Sequence, residues 1–366
     1  MTNEIPPYDV HSEAEAEAEE QVSADEVQGQ DAPGIPADQV NELQEKFGVQ
    51  TIQDPTPQVL PSDKELVSEF PDNSPEISLI QFKIRDLGDL ELDRFTDLER
   101  LILRDNLLES VNGLKLIQNK EKLEELDLYD NRIKHISKHI NEFTNLTVLD
   151  LSFNNIKTIK HLENLTKLEH LYFVQNRIKE IQNLDTLKNL KNLELGANRI
   201  EVISEQLLQL PSLEQLWLGK NLITKFENLE KLKKLRVLSI QSNKLTKIEN
   251  LDHLESLEEL YLSHNKLTKL EGLDNLFNLQ VLDVTSNQLT ELSNLSHLTE
   301  LTDFWCSYNK IDSFESINKE LAGLPNLDTV YFEGNPIQLN APALYRTKLK
   351  LNLGKSLRKI DAMYLS

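Results

Sequence analysis

The chain has 366 residues, of which 39% are hydrophobic, and its formal net charge is −22. This hydrophobic content suffices for a packed interior, so a fully disordered protein is excluded. The acidity argues against a protein that binds mainly nucleic acid or an anionic membrane surface, because both need clustered Lys and Arg. The single cysteine, Cys306, cannot form an internal disulfide, which favours an intracellular compartment.

Residues 1–75 differ in composition from the rest of the chain. They hold 18 acidic and two basic residues, together with nine of the thirteen prolines. Such a segment cannot bury enough apolar surface to offset the loss of chain entropy on folding. We therefore predict an acidic, mostly disordered tail over residues 1–75. A short helix capped by Asp38 is an alternative for one part of it.

From residue 98 onward the chain repeats the pattern L-x-x-L-x-L-x-x-N-x-L/I-x-x-L/I. Its asparagines lie 22 to 26 residues apart, at Asn106, Asn131, Asn154, Asn176, Asn198, Asn221, Asn243, Asn265, Asn287, Asn309 and Asn335. Upstream, Ile77 and Leu79 fit the apolar positions of one further repeat, in which Phe82 occupies the Asn position. The sequence therefore predicts about twelve structural repeats.

The repeat predicts a solenoid, because one unit alone cannot bury the alternate leucines of its short strand. About a dozen residues return to the next strand, which suits a 3₁₀ or extended segment. Each Asn is expected to bond backbone groups of its own turn and of the neighbouring repeat. The pattern resembles the 22-residue class of leucine-rich repeats. The predicted fold class is α/β: a right-handed solenoid over residues 76–341 with a parallel concave sheet.

Residues 342–366 follow the last repeat and are predicted to form a helical cap. A solenoid needs such a cap, since its last leucine layer would otherwise be exposed to water. The expected apolar face consists of Leu344, Leu349, Leu353, Leu357 and Ile360. Tyr345, Arg346, Ile360 and Asp361 resemble residues that recur in the C-terminal caps of intracellular leucine-rich-repeat proteins.

In each strand, the residue between the two inward leucines must point to the concave side. These residues are Ile102, Asp127, Asp150, Tyr172, Glu194, Trp217, Ser239, Tyr261, Asp283, Trp305 and Tyr331. Flanking residues expected on the same side are Phe153, His264, Asp303 and Tyr308. Aromatic rings among carboxylates on an open surface indicate a site for recognising another protein. Lateral packing of the rings for stability is the alternative.

No residue pattern indicates catalysis or cofactor binding. Cys306 lies at an inward leucine position of its repeat and is expected to be structural. His135 and His139 have a spacing that could bind metal on a helix, but the repeat places them on a convex turn, where exposed, unpaired histidines are expected. The adjacent carboxylates of Asp127 and Asp150 could bind a cation, although mutual repulsion kept for partner selectivity is favoured. We predict a protein that is not an enzyme and has no cofactor.

Several strings make the resemblance narrower, among them ELDLYDNRIKHI, LSIQSNKLTKIENL, HLTELTDFW and TVYFEGNP. They resemble the leucine-rich-repeat regulatory subunit of the type-1 serine/threonine protein phosphatase. The resemblance implies that concave residues contact the phosphatase catalytic subunit. The matching positions are Asp150, Glu194, Trp217, Asp283, Trp305 and Tyr331, with Tyr172 where the family usually has phenylalanine and Asp303 where it usually has glutamate.

The resemblance further implies a non-catalytic scaffold that affects the maturation, localisation and activity of the phosphatase in mitosis. It implies a nuclear and also cytoplasmic protein, one that can share its complex with a small disordered phosphatase inhibitor. No nucleic-acid or membrane partner is expected, because the chain is acidic. Two alternatives remain. A repeat scaffold of a nuclear ribonucleoprotein generally has fewer repeats, and this array is long and acidic. A GTPase activator built on leucine-rich repeats uses longer, helical repeats.

Overall fold

The computed structural model describes residues 63–354 and 356–365, and in this part the repeats form one sheet of 14 strands in sequence order. Strands β1 to β13 run parallel, and β14 pairs antiparallel with β13. The strands are β1 Glu76–Ser78, β2 Arg100–Ile102, β3 Glu125–Asp127, β4 Val148–Asp150, β5 His170–Tyr172, β6 Asn192–Glu194, β7 Gln215–Trp217, β8 Val237–Ser239, β9 Glu259–Tyr261, β10 Val281–Asp283, β11 Asp303–Trp305, β12 Thr329–Tyr331, β13 Lys359–Ile360 and β14 Met363–Tyr364. The predicted parallel sheet of a leucine-rich-repeat solenoid is confirmed.

The core is a stack of leucine layers on one side of this sheet. Each strand from β1 to β12 is three residues long, and its central residue is completely buried. The strand register places equivalent residues of neighbouring repeats side by side: Leu171 pairs with Leu193, and Leu193 with Leu216. Because alternate side chains of a strand point to opposite sides, burying the central leucine leaves the residues before and after it on the other face.

The repeat asparagines form the predicted ladder along the stack. The Nδ2 group of Asn198 donates to Phe173 O of the preceding repeat at 2.8 Å and to Leu195 O of its own repeat at 3.1 Å. Its Oδ1 accepts a hydrogen bond of 2.9 Å from Ile178 N. The repeat asparagines are all buried. Each amide thus satisfies backbone groups of two repeats at once, which fixes the distance between them.

The connecting segments are mainly extended or 3₁₀, as predicted. The 3₁₀ segments are Gly88–Leu90, Leu92–Arg94, Asn112–Leu116, Lys120–Lys122, Ile140–Glu142 and Glu205–Gln209. The α-helices are α1 Asp63–Leu66, α2 Phe314–Leu321, α3 Pro336–Leu339 and α4 Pro342–Asn352. None of the helices in the described part of the chain is both long enough and apolar enough to span a membrane.

Helix α2 replaces the usual connection between β11 and β12, where the repeat asparagines Asn309 and Asn335 have the longest spacing in the array. Ser313 caps it, because its Oγ accepts a hydrogen bond of 3.1 Å from Glu315 N. Ile317 and Leu321 are buried, and so is Glu320, whose carboxylate accepts a hydrogen bond of 3.0 Å from Leu295 N. The helix therefore closes this part of the convex side with both apolar and polar contacts.

Residues 63–75 pack against the first leucine layer, which corrects their assignment to the tail. Val67 is completely buried, and Phe70 packs against the core. The Arg94 guanidinium donates to Phe70 O at 2.8 Å and to Asp72 Oδ1 at 2.6 Å, and it also donates to Val67 O. An acidic, proline-rich composition does not prevent order where a few apolar residues can cover an open layer. The remainder of the predicted tail, with the helix suggested near Asp38, lies outside the described residues.

The C-terminal cap consists of α4 and the β13–β14 hairpin. Leu349, Leu353, Leu357 and Ile360 are buried, as predicted. Leu344 is 57% exposed, so its predicted inward position is wrong, and its neighbour Tyr345 is buried instead. Tyr345 Oη donates to Asp361 Oδ1 at 3.1 Å, and Arg346 donates to Ile360 O at 2.7 Å. Tyr345 and Leu349 are four residues apart and share one helix face, whereas Leu344 lies five residues before Leu349 and falls outside that face.

Candidate functional site

The open face is the side of the sheet that points away from the leucine layers, and in leucine-rich-repeat folds this side is concave. The third residues of the strands form one continuous row across it, which we call the strip. Its members are Ile102, Asp127, Asp150, Tyr172, Glu194, Trp217, Ser239, Tyr261, Asp283, Trp305 and Tyr331, each paired in register with the next. The alternation argument thus places all eight candidate residues on this face, with Asp303 two residues before Trp305 on the same strand.

The C-terminal half of the strip is a row of aromatic rings. The ring centroids of Trp217 and Tyr261 are 6.2 Å apart and the rings are stacked, and Tyr261 and Trp305 are also 6.2 Å apart. Trp305 meets Tyr331 edge to face at 6.1 Å. Rings at such distances stabilise one another. All four nevertheless stay partly exposed, so the row is also an apolar surface open to a partner.

Small or buried residues separate these rings along the strip. Ser239 lies between Trp217 and Tyr261 in the register and is 1% exposed, and Asp283 lies between Tyr261 and Trp305 and is 7% exposed. Strands are about 4.8 Å apart, so rings on alternate strands start nearly 10 Å apart. They approach to 6.2 Å because they lean over the short side chains between them. A short side chain such as that of Ser239 is therefore needed for the rings on either side to approach each other. The sequence pattern alone did not reveal this role.

The N-terminal half of the strip is acidic, and one arginine joins two of its aspartates. Arg104 Nε lies 2.5 Å from Asp127 Oδ2, and Arg104 Nη2 lies 3.3 Å from Asp150 Oδ2. The same guanidinium lies over the Tyr129 ring, at 4.8 Å from its centroid. Sequence reasoning missed Arg104, because it lies two residues beyond the strip position of its own strand. The two aspartates, for which mutual repulsion was the favoured interpretation and a cation site the alternative, thus share a guanidinium of the chain itself.

Burial controls the ionisation of these acids. It raises the pKa of Asp127 to about 6, and the nearby charge of Asp150 adds to the effect, while Arg104 opposes it. Burial likewise raises the pKa of Asp150 and of Glu194 above the ordinary value. For Tyr172, burial and the Glu194 charge raise the pKa to about 12. Burial therefore makes the charged form of these carboxylates costly, and a cationic partner would offset that cost.

The strip aspartates also have a structural role. Asp127, Asp150 and Asp283 each accept a hydrogen bond from the backbone N–H two residues later, at 3.1, 2.8 and 2.9 Å. This bond terminates the strand and orients the carboxylate along the open face. Glu194 is held differently, by Asn192 Nδ2 at 3.3 Å, and Asp303 accepts a hydrogen bond of 2.8 Å from Thr302 Oγ1.

Residues at the turns that follow the strands extend the open face. Phe153, His264 and Tyr308, which the sequence placed beside the strip, are exposed at its edge, and each has a φ near +54°. Phe153 contacts Tyr129, with centroids 4.8 Å apart. The Tyr308 ring covers Gly334, where a Cβ would lie 2.4 Å from the ring. These turns add three exposed aromatic groups next to the strip, one each after β4, β9 and β11.

The remaining polar candidates show no arrangement for catalysis. Cys306 is completely buried, and burial raises the pKa of its thiol. His139 is not unpaired as predicted, since its Nδ1 lies 2.7 Å from Glu142 Oε1, whereas His135 is exposed. Among the described residues no group of three or more His, Cys, Asp or Glu side chains is placed to hold a metal ion.

Family models for leucine-rich repeats match most of the array. The model described as "Leucine Rich repeats (2 copies)" matches residues 121–164, 144–186, 166–205, 233–275 and 277–319, and the model described as "Leucine rich repeat" matches residues 188–245. Among solved structures, an internalin of Listeria monocytogenes superposes with a TM-score of 0.62 at 22% identity, over 90% of this chain and 96% of that chain. A leucine-rich-repeat protein of Leptospira interrogans superposes with a TM-score of 0.58 at 25% identity, over 73% of this chain and 80% of that one. These likenesses show the fold.

Sequence relatives are more specific. The chain is 62% identical over 326 residues to the Saccharomyces cerevisiae protein named protein phosphatase 1 regulatory subunit SDS22, which covers 88% of this chain and 96% of that protein. It is 50% identical over 85 residues to the Schizosaccharomyces pombe protein of the same name, over 23% of this chain and 24% of that protein. The leucine-rich-repeat fold and the near-complete match to the first relative lead to one conclusion: the chain belongs to the SDS22 family of non-catalytic regulatory subunits.

Proposed function

We propose that this chain binds the catalytic subunit of protein phosphatase 1 through its open face and regulates that enzyme. The observation that carries the proposal is the strip, a row of half-exposed rings and of buried or half-buried carboxylates held in register over eleven strands. The name of the Saccharomyces cerevisiae relative, which is matched over nearly its full length, supplies the identity of the partner.

The chemistry of the strip defines the surface that it fits. Trp217, Tyr261 and Trp305 offer large, rigid apolar anchors, which typically dominate the energy of protein interfaces. The acidic half, with Asp150 and Glu194, favours basic side chains on the partner. We therefore expect the phosphatase to present an apolar patch beside a cluster of Lys or Arg.

The test is a calorimetric titration of the full chain with purified catalytic subunit of protein phosphatase 1. Trp217→Ala and Trp305→Ala should each weaken the complex by about 2 kcal/mol or more, as removal of a central aromatic anchor does. Each indole also supports a neighbouring ring, so the melting temperature of each variant must be measured alongside the affinity.

Phe277→Ala is the matched control. This ring is 57% exposed on a connecting segment, where it meets His297 edge to face at 5.9 Å. Its removal deletes an exposed aromatic group outside the open face and should leave the affinity unchanged. The proposal would be contradicted if the unaltered chain did not bind. It would also be contradicted if both tryptophan variants bound with the affinity of the unaltered chain.

We also propose, from the family resemblance, that the chain acts on the phosphatase in the nucleus as well as in the cytoplasm and contributes to its maturation and to chromosome segregation. A small disordered inhibitor of the phosphatase is proposed as a third member of the complex. Imaging of the fluorescently tagged chain through mitosis, combined with affinity purification from dividing cells, tests these points. Exclusion from the nucleus at every stage would remove the nuclear role.

A further inference from the structure

The open face has a section without side chains, next to the strip. Two residues after each strip position, a side chain returns to the same face: Arg104 reaches the strip acids from this position, and Gln241 bonds Ser239 at 3.2 Å. The residues in this second row are Arg104, Tyr129, Ser152, Val174, Gly196, Gly219, Gln241, Ser263, Thr285, Ser307 and Glu333. Two consecutive repeats therefore have glycine where the other repeats have a side chain.

The fold does not require glycine at position 196. Its φ is not in the left-handed region, and a Cβ there would have a single close neighbour, Gly219 O, at an ordinary contact distance of 3.5 Å. The repeat before it has Val174 at the equivalent position. At Gly219 a Cβ would lie 3.0 Å from Cγ of Gln241, so a substitution there must displace that side chain. Gly196 is thus the clearer case of a glycine without a structural reason.

The section lies where the two halves of the strip meet. Gly196 follows Glu194, the last acid of the acidic half, and Gly219 follows Trp217, the first ring of the aromatic half. The two glycines are joined through the turn between them, since Ala197 N donates to Gly219 O at 2.8 Å. With alanine at that turn as well, three of the smallest residues form a half-buried floor of main chain beside Glu194 and Trp217.

We propose that this floor, formed by Gly196, Ala197 and Gly219, receives a segment of the phosphatase catalytic subunit that lies directly against the main chain of the array. The inference rests on the proposed function and names the part of the open face that the partner approaches most closely. A glycine that the fold does not need is typical of a place where another backbone approaches. A side chain at position 196 would hold the partner away from Glu194 and Trp217 together.

The experiment compares Gly196→Ala and Gly196→Val in binding to purified catalytic subunit of protein phosphatase 1. Affinity should fall with side-chain size, at least tenfold for valine and less for alanine. The melting temperature should stay equal or rise, because replacing glycine at a compatible φ restricts the unfolded chain. Graded loss of binding without loss of stability is a result that a purely structural role for the glycine would not produce.

Gly323→Val is the matched control, because this exposed glycine lies on the connecting segment after helix α2, away from the open face, and a Cβ there would have no neighbour within 4 Å. It should bind as the unaltered chain does. Full affinity of Gly196→Val, with the unaltered chain binding, overturns this inference and leaves the proposed function intact. Failure of the unaltered chain to bind overturns the proposed function itself. Loss of stability in Gly196→Ala would also overturn the inference, since it would assign the glycine to folding.

Discussion

Individual carboxylates of the strip have two roles that compete. Asp127 terminates its strand through a hydrogen bond of 3.1 Å to Tyr129 N, and it also pairs with Arg104. Both contacts favour the charged form, yet burial and the neighbouring Asp150 outweigh them and raise its pKa to about 6. The carboxylate thus lowers the stability of the folded chain at neutral pH, in a place where sequence reasoning saw only surface charge.

This balance predicts the effect of Asp127→Asn. The folded-state pKa lies above the ordinary value of 3.8, so the folded chain takes up a proton between about pH 4 and pH 6. The free energy of unfolding therefore falls as the pH rises through that window. Asparagine keeps the bond to Tyr129 N without the charge, so the variant should be more stable at pH 7, by about 1 to 2 kcal/mol. Urea denaturation at pH 4, 5, 6 and 7 measures this.

The advantage of the Asp127→Asn variant should shrink as the pH falls below about 6 and vanish near pH 4. Asp252→Asn is the control, because Asp252 is exposed on a connecting segment, and its substitution should leave stability unchanged at each pH. A variant less stable than the unaltered chain at pH 7 would show that the pair with Arg104 outweighs the cost of burial.

At the scale of elements, the ends of the array differ most from the prediction. The repeats could be predicted because a leucine at each inward position leaves one strand register that buries all of them, as for Leu171, Leu193 and Leu216. The segment before β1 has no such period. Its order depends on Val67 and on the Arg94 guanidinium, which lies 24 residues from Phe70, so the contact is not visible in the local sequence.

Truncation should separate the two parts of the predicted tail. Removing residues 1–62 leaves every described contact of the first leucine layer in place, so the melting temperature should not change. Removing residues 1–75 also removes helix α1 with Val67 and Phe70, and it should lower the free energy of unfolding by about 2 kcal/mol or more, since a buried valine alone contributes close to that amount. Equal melting temperatures of the two truncated chains would show that this packing contributes nothing.

Side chains that interact across repeats mark the limit of the sequence prediction. The position of each strip residue followed from strand alternation, and its neighbours followed from the repeat. The prediction did not include the reach of long side chains, as for Arg104, nor the effect of short ones, as for Ser239 beneath two rings. Helix α2 was missed although the longer spacing between Asn309 and Asn335 marks the place. Each of these depends on what lies next to a residue in space, which a period does not encode.

For the whole molecule, the net charge of −22 and the acidic half of the strip have the same sign. Long-range attraction of a basic partner surface should therefore speed its association. We predict that the association rate constant with the phosphatase catalytic subunit falls several-fold between about 50 and 500 mM salt, while the dissociation rate constant changes little. Stopped-flow mixing at a series of salt concentrations measures both.

Glu194→Gln provides a matched comparison for this salt effect. The variant removes one strip charge and keeps the shape of the side chain, so its association rate should depend less steeply on salt. An association rate constant of the unaltered chain that does not change with salt would remove electrostatic attraction from the mechanism and leave the aromatic row as the source of affinity.

Because the rings lean over the short side chains between them, the aromatic row recurs with every second repeat, whereas the leucine layers recur with every repeat. Trp217, Tyr261 and Trp305 lie 44 residues apart, whereas the leucine layers recur at about half that distance. Gain or loss of a single repeat during evolution would keep the leucine layers continuous. Gain of a tryptophan repeat would nevertheless place an indole beside an indole, and loss of the tyrosine repeat would place a serine beside an aspartate. Related arrays should accordingly gain or lose repeats in pairs within this region, and changes by a single repeat should occur only outside it.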